Sequence, residues 1–178
     1  MSNEHEIAAV LLDSIDWSCL TVCGDKAADE VPRAFRALLD SQNSTQAEQA
    51  YWRIDNNVVV QGNVYDSAPA AVAVILSALT DFQRPIHVQV CLLELLAQIV
   101  FGSVSGIEEV PSDCQLEHAC LEAAREGIWT LYKLVSCFAT EHREIAEAAL
   151  DVLEKLDTNQ VRFQAVATAY KMSADDRR

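Results

Sequence analysis

The sequence predicts an all-α domain assembled from antiparallel helix pairs, and three observations carry that prediction. Hydrophobic residues make up 51% of the 178 residues, while Gly and Pro number only five and four. A chain rich in Ala, Leu and Val and poor in turn formers favours helices over strands. Apolar residues also recur at helical spacing in one segment after another, each closed by a short polar turn. No segment passes the alternation test for a half-buried strand. Val58-Val59-Val60 is too short and reads as a helix approach or turn. The length suits a single domain, residues 1–178, with a substantial core.

The rest is organised around 51–82, YWRIDNNVVVQGNVYDSAPAAVAVILSALTDF. Its second half, about Ser67 to Leu79, carries Val72, Val74, Ile75, Leu76 and Leu79 with alanines between, apolar on nearly every face. Such a helix must be covered by protein or by lipid on all sides. It is shorter than the roughly 20 residues a bilayer requires. It is therefore expected to be a buried hub, coated by amphipathic neighbours.

In chain order, residues 1–25 form a polar end cap in which Ile7, Val10 and Leu11 share an amphipathic segment and Trp17 and Leu20 a second, closed by Gly24. A helix over 30–39 tolerates Pro32 in its first turn. Ser44 is expected to cap a helix through Ile54, with Ala47, Ala50, Tyr51 and Ile54 in register. Asp55, Asn56 and Asn57 tie its end to the hub, and Gln61-Gly62-Asn63 makes a turn. Pro85 starts the most apolar helix, about 86–101, whose narrow polar stripe is His87, Glu94 and Gln98. The irregular segment 102–111 follows, and Ser112 with Gln115 is a capping-box signal. The next helix is expected to run unbroken from Cys114 to Cys137 along Leu116, Cys120, Ala124, Ile128, Leu131 and Val135, with Gly127 letting a neighbour come close. Thr140 is expected to cap a helix over 141–156, and Thr158 a last one over 158–172. That last helix is apolar on two sides, Val161, Ala165 and Met172 on one, Phe163, Ala167 and Tyr170 on the other, and 173–178 form a frayed tail.

Pairing 30–40 with 44–56, 65–80 with 85–102 and 114–137 with 141–156 describes a short α-solenoid of HEAT-like helix pairs across 26–157. An irregular helical bundle is the alternative. The hub stretch also resembles a motif of small bacterial HEAT-like repeat proteins. Tyr51, Trp52, Asp55, Asn56, Val58, Val59, Gln61, Gly62, Tyr65, Ala68 and Val72 carry the resemblance. What it implies is a helical-repeat fold with a binding role, and neither a catalytic residue nor a cofactor.

Charge narrows the function further. Against 27 acids stand 13 Lys and Arg, a formal net charge of −14. Such a surface repels phosphate backbones and anionic headgroups, so neither nucleic acid nor membrane is an expected partner. A basic protein is the natural complement; the alternative is that acidity serves solubility alone. The six cysteines lack C-x-x-C spacing, and the opening MSNEHE lacks the basic and apolar regions of a leader. A cytoplasmic protein with reduced thiols is expected. A small acidic helical-repeat protein resembles, in size, charge and class, the immunity partners of bacterial toxins such as those of contact-dependent growth inhibition. That resemblance implies an inhibitor that covers a toxin's basic active site with an acidic surface. A non-catalytic scaffold or regulatory adaptor is the alternative.

Candidate partner-binding residues follow. Glu144, Glu147, Asp151 and Glu154, spaced by three, four and three, share one helix face, flanked by Arg143 and Lys155; a solvated outer face is the competing reading. Glu108 and Glu109 lie in the long irregular segment, with Asp113 and Glu117 beyond; an ordinary connector is the competing reading there. Trp129 and Tyr132 sit opposite the apolar line beside Glu122 and Arg125, as interface anchors or as residues buried against a neighbour. Trp52 beside Arg53 carries the same two readings. The last helix, through Phe163 and Tyr170, would dock a second copy in a homodimer. Cys114 and His118, four apart, lack the further ligands of a metal site and the orienting group of a nucleophile pair. No enzyme, metal or cofactor is expected.

Overall fold

The computed structural model describes residues 6–24, 26–103 and 111–175, and these are helical apart from two small hairpins, a short 3-10 turn and connecting loops. Helix α1 (Ile7–Ser14) turns Ala8 and Leu12 inward, and a 3-10 turn (Trp17–Cys19) then buries Trp17, whose indole Nε1–H donates to the Leu12 carbonyl at 3.1 Å. Strands β1 (Thr21–Val22) and β2 (Lys26–Ala27) pair antiparallel in the end cap. Helix α2 (Glu30–Leu39) buries Val31, Ala34, Phe35 and Leu38, a spacing that makes one apolar stripe, and packs it on α3 (Ser44–Val58). The cap of α3 is Asn43 rather than Ser44: the Asn43 side chain accepts from the Gln46 N–H at 3.0 Å, and Ser44 is already helical.

The valine run is not simply a helix approach. Val58 ends α3, while Val59–Val60 form β3 and pair antiparallel with β4 (Asn63–Val64). Gln61 (φ 51°) and Gly62 (φ 81°) both take the left-handed conformation that closes a two-residue hairpin with the right twist. Ser103 ties the hairpin to the end of the fifth helix, accepting from Val64 N–H at 3.0 Å and donating to Gly62 at 2.7 Å. Strands of two residues are too short to show alternation in the sequence, and a Gln before the Gly masks the usual turn signal.

Helix α4 (Ala68–Leu79) is the covered rod that its composition demands: every residue is buried or half-buried, and α1, α5 and α6 pack on it. Helix α5 (Ile86–Phe101) shares the central role, because it touches α3, α4, α6 and α8 and so joins the two halves of the chain. His87 on its polar stripe is half-buried, while Glu94 and Gln98 are exposed. The loop between α4 and α5 is held by the buried Arg84, which donates Nε–H to the Ala78 carbonyl at 3.2 Å and pairs with Glu6. That bond satisfies a carbonyl left over at the helix end.

The helix expected to be unbroken over 114–137 is two: α6 (Pro111–Arg125) and α7 (Ile128–Phe138), parted at Glu126 and Gly127. Gly127 does admit a neighbour, as expected. A Cβ there would lie 2.2 Å from Leu76 Cδ2 of α4. Glycine inside a helix costs conformational entropy, and at this crossing the chain turns instead of continuing.

Helix α8 (Arg143–Leu156) buries Ile145, Ala146, Ala149, Val152, Leu153 and Leu156 against α5 and α7. Its N-cap is His142, not Thr140. Helix α9 (Gln160–Asp175) is capped by Asn159, whose side chain accepts from Arg162 N–H at 3.1 Å; Thr158 is exposed and precedes the cap. Of the described α9 side chains, through Lys171, only one side is buried; the side chain of Met172 lies outside the described residues. Phe163, Ala167 and Tyr170 are largely covered by the chain's own neighbours, while Val161 is 82% exposed. Among the described residues no helix is long and apolar enough to cross a membrane.

Candidate protein-binding surface

The surface on either side of α9 collects most of the residues singled out from the sequence. Along α8, Glu144, Glu147, Asp151 and Glu154 are all exposed and share one face. The structure divides them into two kinds. Glu144 lies 3.5 Å from His142 Nδ1, and Glu147 accepts from Arg143 at 3.1 Å and from the Tyr170 hydroxyl at 3.3 Å. Asp151 and Glu154 have no ion-pair partner within 4 Å among the described residues. Glu147, Asp151 and Glu154 form one wall of a groove of about 460 Å³ between α8 and α9, over a floor of Leu150, Phe163 and Ala167. Glu144 is outside that groove. Carboxylates above an apolar floor suit a cationic side chain with a methylene stem.

A second groove, about 540 Å³ and more apolar, runs along the other flank of α9 between α7 and the helix, with Trp129, Val135, Val166 and Ala169 in its walls. Trp129 is 66% exposed, as an anchor would be. Tyr132 is buried instead: its hydroxyl donates to the Asp157 carboxylate. Arg125, expected beside the aromatics, donates Nε–H to the Leu156 carbonyl at 3.2 Å and pairs with Glu122.

In and behind the wall of the second groove, which Tyr132 and Arg162 also line, is a cluster that sequence reasoning missed. Asp157 is buried at the corner where α8 ends. Arg162 grips it with two parallel bonds, Nε to Oδ2 at 2.8 Å and Nη2 to Oδ1 at 2.6 Å, and the Asn159 N–H adds a third at 2.7 Å. The guanidinium also lies over the Trp129 ring, 4.9 Å from its centroid. Arg162 beside it holds the Asp157 carboxyl down to about 2, with help from the Tyr132 hydroxyl and against the effect of burial. Burial, and then that carboxylate, push the Tyr132 hydroxyl up. The arrangement latches α9 to the α7–α8 corner and fixes Trp129 at the rim. Its only signals in the sequence are an acid closing a helix and an arginine five residues on.

Glu108 and Glu109 lie outside the described residues, as do the side chains of Asp113 and Cys114. His118 is exposed. Trp52 is half-exposed, and Arg53 is committed to Glu30 at 3.3 Å. Compared with models of protein families, with curated proteins and with solved structures, the chain matches none.

Proposed function

We propose that this chain is a protein-binding inhibitor, an immunity protein that neutralises a basic bacterial toxin in the cytoplasm, and that its helix pairs form a short HEAT-like solenoid. The observation that carries the reading is the pair Asp151 and Glu154, without an ion-pair partner within 4 Å among the described residues, on a groove of mixed polarity that Arg143 and Lys171 also line, in a molecule of net charge −14. A toxin that cuts nucleic acid requires a basic cleft for phosphates, and carboxylates presented in place of the phosphates fill it. Trp129, across α9, supplies an aromatic anchor of the kind that dominates interfaces. A scaffold or adaptor would use the same surface without blocking its partner's activity.

The test first asks whether a toxin gene adjoins this chain's gene, and then uses that toxin as the partner in binding measurements. Asp151→Lys with Glu154→Lys is expected to weaken the complex by at least about tenfold at low salt, since close charge pairs across interfaces couple by more than about 1.4 kcal/mol. Glu144→Lys is expected to have a smaller effect. An unchanged Kd for the double variant removes this surface from consideration. Tight binding without inhibition selects the adaptor.

A further inference from the structure

A third groove, about 310 Å³, lies between α3 and α5 and shares no residue with the two beside α9. Its walls are mostly apolar, with Val90 and Cys91 from α5 facing Tyr51 and Trp52 from α3. Trp52 is 50% exposed, unusual for so large an apolar ring. Its orientation is set by an edge-to-face contact with Tyr51, centroids 5.1 Å apart and planes at 85°, and the Tyr51 hydroxyl is in turn held by Asp55 at 3.4 Å. One carboxylate stands on each helix at the mouth: Glu48 and Glu94. Neither has an ion-pair partner within 4 Å among the described residues, and no Lys or Arg lines the groove. The imidazole present, His87, is engaged through Nε2 with the Ser41 carbonyl at 3.1 Å. Glu94 is exposed at the surface, yet the protein packed around its carboxyl raises it by desolvation, and no cation lies within 4 Å of it among the described residues. The Cys91 thiol is pushed up to about 11 by burial and then by Glu94 and Glu48, which leaves it a packing residue and not a nucleophile.

We propose that the α3–α5 groove receives an arginine side chain from a basic protein segment, its stem along Val90 and Tyr51 and its guanidinium between the Trp52 ring and the carboxylates of Glu48 and Glu94. Charge complementarity selects the occupant: a neutral apolar side chain would desolvate the two acids with no compensation, and an anion would be repelled. Arginine is favoured over lysine because its flat guanidinium stacks on an indole while forking to carboxylates. The site is separate from the surface assigned to toxin binding and does not depend on it.

Titration of the ¹⁵N-labelled full-length protein with N-acetyl-arginine amide tests the assignment. Saturable shifts are expected at the Trp52 indole N–H and at the Val90 and Cys91 amides. Trp52→Ala, and separately Glu48→Gln with Glu94→Gln, should each weaken binding by about fivefold or more, the worth of one cation–π or charge contact. The glutamine pair is nearly isosteric, so it serves even if the tryptophan variant folds poorly. N-acetyl-citrulline amide, the neutral isostere, should leave these signals in place. Equal shifts with citrulline, equal affinity for N-acetyl-lysine amide, or shifts confined to α8 and α9 would overturn the proposal. Asp151→Lys with Glu154→Lys should not alter the titration, so failure here and failure of the toxin-binding reading are read separately.

Discussion

Asp157 carries more of the α8–α9 corner than any exposed acid does. Its carboxylate is buried and accepts from Arg162, Tyr132 and the Asn159 N–H. The pKa is depressed from 3.8 to about 2, so the charged form is the one the fold favours. A depressed carboxyl contributes stability that is complete above its unfolded pKa and is lost as pH falls through the folded one. The contribution is about 2 kcal/mol above pH ~5 and fades toward pH ~2. Asp157→Asn is therefore expected to lose about 2 kcal/mol near neutral pH in urea denaturation, with the gap to wild type closing toward pH ~2. A gap that persists at low pH would assign the loss to packing instead. The sequence marks Asp157 only by its place after a helix and the arginine five residues on, and neither signals burial, because a residue after a helix is normally solvated. Its burial follows from Tyr132, 25 residues earlier, being folded over it. The exposed acids of α8 were legible, since their spacing places them opposite the buried stripe without knowledge of any neighbour.

At the scale of elements, Gly127 shows a position whose role was legible and whose consequence was not. Its place on the apolar line indicates a close approach. That the approach is by Leu76 of α4, and that the helix parts there, depends on where α4 lies. Backbone strain plays no part, since φ is −91°. Gly127→Ala is expected to destabilise by roughly 1–3 kcal/mol through overpacking against Leu76. Leu76→Ala alone should cost roughly 2–5 kcal/mol as a cavity. The double variant should cost less than the sum, because the new methyl and the vacated space coincide. Additive costs in thermal or urea denaturation would place the clash elsewhere. The caps follow the same division: polar residues near each helix start were visible, but the choice of Asn43 over Ser44 and Asn159 over Thr158 was made by which backbone N–H each side chain reaches.

Across the whole molecule, stability is expected to fall from the centre toward α9. Helices α4 and α5 are enclosed by neighbours, whereas α9 rests one face on α7 and α8 and is fastened mainly by the Arg162–Asp157 latch. Thinly packed elements open first. Amide hydrogen exchange should therefore release α9 well before α4 and α5, and Arg162→Ala should widen the difference while leaving the central helices unchanged. Exchange of α9 in step with α5 would show one cooperative unit. Because both candidate grooves flank α9, its opening would alter Trp129 and the Asp151–Glu154 wall together.

The all-α class, the covered rod at 68–79 and the acidic face of α8 could be read from residue order alone, because composition and helical spacing are local properties of the chain. Hairpins of two residues, the parting at Gly127, the inward turn of Phe163 and Tyr170 and the Asp157 latch could not. The hairpins pair residues only three to six apart, and strands of two are too short to show alternation; the other three depend on contacts between residues far apart in sequence, and only the packed chain determines which of those residues meet.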